Sequence, residues 1–181
     1  MVAVLRLAFA NDPMMRWCWP GADAYWRELE VLIGAFAEEA WDAGTVFQAG
    51  DGLGVAIWLR PGAAPDGERM GRLFSPWLSA AAAVDLPGVL ERMDEFHPAG
   101  PHWYLPLIGV DPWQQGRGIG TALMRRVLDE CDRDGIPAYL DSSNPSNIPW
   151  YEGLGFRVVG EIRAGASPAM TAMVRTPRVA D

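Results

Sequence analysis

The sequence predicts one mixed α/β domain, and three observations carry that prediction. Two β-rich runs are joined by the turn Gly50-Asp51-Gly52, strand and helix patterns alternate after Trp103, and a glycine-rich loop at 116–120 follows a strand and opens a helix. The 181 residues, 50% of them hydrophobic, are enough to close one core. We expect a single domain over 1–181 with a helical insert at about 61–100.

Each element has a local reason. Val2–Ala10 reads as a short helix stopped at Asn11-Asp12-Pro13. Over Ala22–Ala43 the apolar residues Tyr25, Trp26, Leu29, Leu32, Ile33, Phe36, Ala37 and Trp41 recur at three-and-four spacing, which predicts an amphipathic helix bent near Gly34. Thr45–Ala49 and Leu53–Arg60 form a hairpin around the Gly-Asp-Gly turn. The stretch from Pro61 to Gly100 is rich in Gly, Ala and Pro and carries two helical patterns, Met70–Leu78 and Leu86–Phe96. About forty residues are too few for a separate domain. Then follow strand Trp103–Val110, helix Gly118–Asp134, strand Ile136–Asp141, short helix Asn147–Leu154, and strands Phe156–Ile162 and Ala169–Arg175.

Composition removes several classes of function. All fifteen basic residues are Arg, so a Walker A loop, which needs a lysine, is excluded. A net charge of −8 argues against nucleic-acid binding and suits a cationic partner such as an amine. No apolar run approaches the ~20 residues of a membrane span. Cys18 and Cys131 lie far apart with no Cys-x-x-Cys partner, so neither a disulfide framework nor a zinc site is expected. A cytoplasmic location is the corresponding expectation.

The informative stretch is Val110-Asp-Pro-Trp-Gln-Gln115-Gly116-Arg117-Gly118-Ile119-Gly120-Thr121. Its glycines let backbone N–H groups approach an anion, the helix start adds unsatisfied donors and the positive dipole end, and Arg117 supplies a full charge. The expected ligand group is a pyrophosphate. A dinucleotide fingerprint fails, because Gly116 or Gly118 as first glycine puts Thr121 or Leu123 at the third position. In the preceding strand Pro106 lacks an N–H and Gly109 gives a flexible joint, which together predict a bulge that splays the strand from its neighbour.

Gln115-Gly116-Arg117-Gly118-Ile119-Gly120 matches the Gln/Arg-x-x-Gly-x-Gly/Ala loop of GNAT-type N-acetyltransferases. Asn144-Pro-Ser-Asn147-Ile-Pro-Trp-Tyr151-Glu-Gly-Leu-Gly155-Phe156 resembles the Asn…Tyr-x-x-x-Gly-Phe signature of the same superfamily. Ala8–Pro13, the insert before Trp103 and the segments at 109–121 and 147–156 look most like the puromycin N-acetyltransferase branch. That branch does not by itself make puromycin the substrate. The resemblance implies a mixed, mostly antiparallel central sheet flanked by helices, with its strands 4 and 5 splayed. Family members usually place a strand before the first helix, and this sequence begins in or next to that helix.

The resemblance further implies acetyl-CoA as co-substrate, no metal, and a small-molecule amine acceptor attacking the thioester directly. Gln115 to Thr121 would seat the pyrophosphate, while backbone groups at Ile108, Gly109 and Val110 would meet the pantetheine amides and the thioester carbonyl. Asn144 and Asn147 compete for a pantetheine contact, and Asn147 is also a candidate N-cap for the short helix. Tyr151 falls at the position of the acid that protonates the leaving thiolate. Asp141, at a strand end, leads as general base, with His97, His102 or a water chain as alternatives and a plain capping role for Asp141 equally open. Glu91, Asp94 and Glu95 form an acidic helix face, either simply solvated or attracting a cation. Of the tryptophans, Trp17, Trp19, Trp77 and Trp150 are candidates to line an acceptor pocket. A monomer or homodimer is expected, with no nucleic-acid or membrane partner. The rival class is a non-catalytic acyl-CoA-binding sensor.

Overall fold

The computed structural model describes residues 1–178. Three helices open the chain: α1 (Val2–Ala8), α2 (Pro13–Cys18) and α3 (Ala22–Asp42). The hairpin β1 (Val46–Ala49) and β2 (Gly54–Leu59) follows, then the insert helices α4 (Gly67–Arg72) and α5 (Ala80–Phe96). The remainder is β3 (Trp103–Val110), α6 (Ile119–Asp134), β4 (Ala138–Ser142), α7 (Ile148–Gly153), β5 (Arg157–Ile162) and β6 (Met170–Arg175). The sheet order is β1-β2-β3-β4-β6-β5, and every pairing is antiparallel except β3 with β4. A mixed, mostly antiparallel sheet is thus what the chain forms.

Helices cover both faces. One core packs α1, α3 and α5 against Val55, Ile57, Leu59 and Leu107; the other packs α6 and α7 against Ala56, Trp58, Trp103 and Leu105. All of β2 is buried, as expected for a strand covered on both sides. Buried Arg175 donates to Asp132 at 2.7 Å and to the Leu154 carbonyl at 3.1 Å, holding β6, α6 and the end of α7 together.

Trp103 and Leu105 belong to one core while Leu107 belongs to the other. In a regular strand all three would share a face. The register explains the change: Ile57 pairs Leu107 but Leu59 pairs Tyr104, so β3 holds one extra residue there. This is the expected bulge, and it falls at Pro106. Gly109 has another use. A Cβ there would stand 2.7 Å from the Ala8 Cβ and 3.0 Å from Leu5, so glycine lets α1 lie directly on β3.

Several expectations are corrected. Pro13 does not only stop α1; it starts α2, where it occupies the first turn and Asp12 caps it. The first insert pattern forms a helix only over Gly67–Arg72, since Pro76 denies the segment that follows a continuous ladder. The second begins earlier, at Ala80, where the Ser79 hydroxyl accepts from Ala82 N at 3.1 Å. Asn147 makes no side-chain cap on α7; Asn144 is the capping residue, accepting from Ser146 N at 3.0 Å within its own turn. Gly155 takes φ +96° just beyond α7, as a helix-ending glycine should.

Candidate functional site

The glycine loop leaves β3 and enters α6 through two left-handed glycines, Gly116 at φ +75° and Gly118 at φ +81°. A Cβ at either would meet nothing within 4 Å, so both backbones face open space. No side chain caps the 16-residue helix α6. The first-turn N–H groups of Ile119, Gly120 and Thr121 are therefore donors available to an anion. Gly120 is needed for a different reason: a Cβ there would lie 3.1 Å from the Trp150 ring. That indole donates to Thr121 Oγ1 at 3.3 Å, fixing the loop against α7. Gln115 turns back to donate to the Val110 carbonyl at 3.4 Å. Arg117 is exposed and is not part of the cavity wall.

Beside this loop the sheet opens. Strands β3 and β4 pair only at Trp103–Ala138, Tyr104–Tyr139 and Leu105–Leu140, and the pairing ends where Pro106 removes a donor. A cavity of about 630 Å³ occupies the gap. Ile108, Gly109, Val110, Gln115, Gly116, Gly118, Ile119, Gly120, Thr121, Asp141, Asn144, Asn147 and Tyr151 all line it. Its other wall comes from α2, α3 and the insert.

Tyr151 is buried, its ring 4.7 Å from Trp150 and 5.9 Å from Phe156 between centroids. Among the described residues its hydroxyl has no hydrogen-bond partner. Burial, with the nearby Asp12 charge, pushes its pKa upward, so the phenol keeps its proton at neutral pH. Asp141, partly buried on β4, accepts from the Tyr139 hydroxyl at 2.5 Å and from the Tyr104 hydroxyl at 3.4 Å. Burial is the main cause that raises its pKa to about 7; the two phenols oppose the rise and the Asp94 charge adds to it. A carboxyl that titrates near neutrality is suited to accept a proton.

His97 and His102 are held elsewhere. They lie 3.0 Å apart through Nδ1 and Nε2 and, with Arg60 and Asp94, border an adjoining cavity of about 340 Å³ that shares Phe36, Met70, Leu90, Met93 and Tyr104 with the first. His97 packs 4.3 Å from the Tyr139 ring, and burial lowers its pKa. Glu91 and Glu95 are exposed, and Glu95 pairs with Arg92. Trp19 and Trp150 line the large cavity; Trp17 and Trp77 do not.

Asp12 was not among the expected site residues. It is buried, lines the cavity, accepts from Met14 N at 3.0 Å and Met15 N at 3.1 Å, and takes the Ser143 hydroxyl at 2.6 Å. Desolvation raises its pKa despite these bonds. Its capping position before Pro13 was a legible signal; the contact with Ser143, 131 residues away, was not.

Comparisons with known proteins agree with this geometry. An uncharacterised N-acetyltransferase of Schizosaccharomyces pombe is 30% identical over 131 residues, 62% of this chain and 51% of the relative. A mycothiol acetyltransferase of Brachybacterium faecium is 27% identical over 108 residues, 49% of this chain and 30% of the relative. The chain thus spans about half of the length of the first of these curated relatives and under a third of the second. Among solved structures, one described as histone acetyltransferase HPA2 and related acetyltransferase from Corynebacterium glutamicum aligns over 99% of this chain and 90% of that one, with 29% identity and a TM-score of 0.67. The sequence model of the acetyltransferase (GNAT) family matches residues 56–156, which run from β2 through the bulged β3, the glycine loop and α6 to Phe156. With the opened β3–β4 pair and the uncapped helix inside that matched span, the chain belongs to the acetyltransferase (GNAT) family.

Proposed function

We propose that this chain transfers an acetyl group from acetyl-CoA to the primary amine of a small molecule, both bound at once. One observation carries the reading: a single cavity joins the uncapped α6 start, the unpaired edge of β3, a protonated phenol and a carboxyl titrating near pH 7. The residues present fit acetyl-CoA. The left-handed Gly116 and Gly118 leave open the space where a Cβ would otherwise stand, and the α6 donors face a pyrophosphate. Arg117 adds charge from the exposed side. Beyond Pro106, β3 offers backbone groups at Ile108, Gly109 and Val110 to the pantetheine amides, much as to an added strand. Asn147 flanks the arm where it leaves the gap, whereas the Asn144 side-chain oxygen already accepts from Ser146 N in its own turn.

In the reaction Asp141 takes a proton from the incoming ammonium. The amine nitrogen then forms the C–N bond as the C–S bond breaks. A backbone N–H near Ile108–Val110 stabilises the carbonyl oxygen, and Tyr151 gives its proton to the leaving thiolate. The second nitrogen proton leaves to solvent. Holding both substrates in one gap supplies much of the rate.

Ala8–Pro13 and the helical insert support placement in the puromycin N-acetyltransferase-like branch, without naming the acceptor. Residues 1–181 are proposed to act as one domain, in the cytoplasm, as a monomer or homodimer; no helix among the described residues is long and apolar enough to cross a membrane. The deciding measurement is thiol release from acetyl-CoA across a panel of primary amines. Amine-dependent release is expected. CoA binding without turnover on any amine would favour an acyl-CoA sensor instead.

A further inference from the structure

The wall of the large cavity opposite the glycine loop comes from four helices of the chain. Met14 and Met15 (α2), Phe36 (α3), Met70 (α4), and Leu90 and Met93 (α5) are representative, and the other side chains from these helices are also apolar. Asp12 and Asp141 are the two charged side chains lining the cavity among the described residues, and no arginine lines it. Asp12 is already occupied by Ser143 and the α2 amides. Asp141 has two donors to Asp12's three, the Tyr139 hydroxyl and the Tyr104 hydroxyl at a long 3.4 Å, and so is the carboxyl left to meet an ammonium, in a cavity with no cation among its described lining residues.

We propose that the acceptor is a primary amine carried on an uncharged apolar body, with no carboxylate or phosphate. The proposal rests on the acetyl-transfer reading above and narrows its acceptor class. The chamber discriminates by what it lacks. A carboxylate on the acceptor would be buried against Met and Leu side chains without a counter-ion, close to two carboxyl groups, and such a charge is costly. A second ammonium would likewise lose its water with Asp12 already paired. An aromatic or aliphatic body loses nothing by entering. Methionines at four of the six named positions adapt to different apolar outlines, so the chamber selects polarity more strongly than shape.

The test uses matched amines with the full chain. Thiol release from acetyl-CoA is followed with phenethylamine, phenylalanine, hexylamine and putrescine, and amine binding is measured by calorimetry in the presence of CoA. The expected result is a kcat/KM for phenethylamine at least 10²-fold above phenylalanine, and the same ordering for hexylamine over putrescine. Met93→Arg supplies the missing cation and should shift the phenethylamine-to-phenylalanine ratio at least tenfold toward phenylalanine. Leu90→Arg gives a second site for the same exchange if Met93→Arg fails to fold. Equal or better use of phenylalanine or putrescine by the unaltered chain would overturn the proposal while leaving acetyl transfer intact. Absence of turnover on every amine would end the acetyl-transfer reading. In that case calorimetry still judges the chamber: phenylalanine binding as tightly as phenethylamine overturns it, and tighter phenethylamine binding supports it.

Discussion

The two ends of the cavity are built from different materials. At the glycine loop the wall is backbone: left-handed turns at Gly116 and Gly118, three first-turn amides of α6, and the unpaired edge of β3. At the insert the wall is side chain, assembled from α2, α3, α4 and α5. A backbone seat recognises a group common to every substrate turnover, a pyrophosphate or an amide, and tolerates no Cβ in the approach. On the proposed reading the side-chain chamber selects the acceptor, and it can be changed one residue at a time. Tyr151 and Asp141 line the same cavity; on the proposed reading substitutions at this pair should affect rate, while substitutions at either wall should affect one substrate only.

The largest effect is expected at Tyr151. Tyr151→Phe removes one hydroxyl that has no partner among the described residues, so packing and CoA affinity should survive. If the phenol protonates the thiolate, kcat should fall about 10²-fold or more with the KM for acetyl-CoA nearly unchanged. An unchanged kcat under chemistry-limited conditions would leave the tyrosine a core aromatic and remove the pair from the comparison.

Asp141→Asn should lower kcat/KM about 10²-fold at pH 8. The pH profiles distinguish a base from a merely structural carboxyl. In the parent, Asp141 must be ionised to accept a proton, so the rate should rise with pH and level off above about 7. The variant should lack that limb. The stability sign runs opposite to the activity. The folded carboxyl holds its proton from its ordinary 3.8 up to about 7, so its contribution to stability declines as pH rises through that window. Thermal melts should therefore show the variant gaining on the parent between pH 4 and pH 8. A parent rate independent of pH from 6 to 8 would count against Asp141 as the base.

How much of this was legible follows the same division. The glycine loop, the start of α6 and the bulge at Pro106 are local events, written in residues that glycine and proline chemistry dictates at fixed spacing. The boundaries of β3 come out as expected for that reason. The chamber has no such mark, because Met15, Phe36, Met70 and Met93 meet only after the sheet has formed, and each alone reads as an ordinary core residue. Asp12 lies between the two cases: its capping role is local, its contact with Ser143 is not. Asn147 is misleading for a related reason. Its residue type suits a cap, but the preceding turn, capped by Asn144, enters α7 with Asn147 already in a helical conformation.

A smaller effect is expected at the backbone end. Gly118 sits at φ +81°, so valine there is strained by about 1–2 kcal/mol in addition to blocking the seat. Asparagine tolerates that conformation and still projects into the open space, which makes Gly118→Asn the cleaner probe. Its Kd for CoA should weaken about tenfold, with little change in the KM for the amine. Equal CoA affinity would show that the pyrophosphate lies elsewhere, and an effect on the amine alone would invert the assignment of the two ends.

The smallest expected change lies at the Asp12–Ser143 bond, which ties the α1–α2 turn to the segment after β4 at the boundary between the two walls. Ser143→Ala removes the one side-chain donor to this buried carboxylate among the described residues and leaves it the two α2 amides. A hydrogen bond to a charged group contributes about 1.5–3 kcal/mol, so the melting temperature should drop by several degrees at pH 8. Catalysis should change only a few-fold, because Asp12 keeps its cap and Asp141 keeps its phenols. Burial already raises the Asp12 pKa, and losing the hydroxyl raises it further. The stability difference between parent and variant should therefore be largest where Asp12 is ionised in both, and shrink as pH falls and the carboxyl becomes neutral. A difference that grows toward low pH would mean that the serine supports the protonated form. A loss of turnover matching that of Tyr151→Phe would place Asp12 within the chemistry, and the boundary between the two ends would then have to be drawn through three residues instead of two.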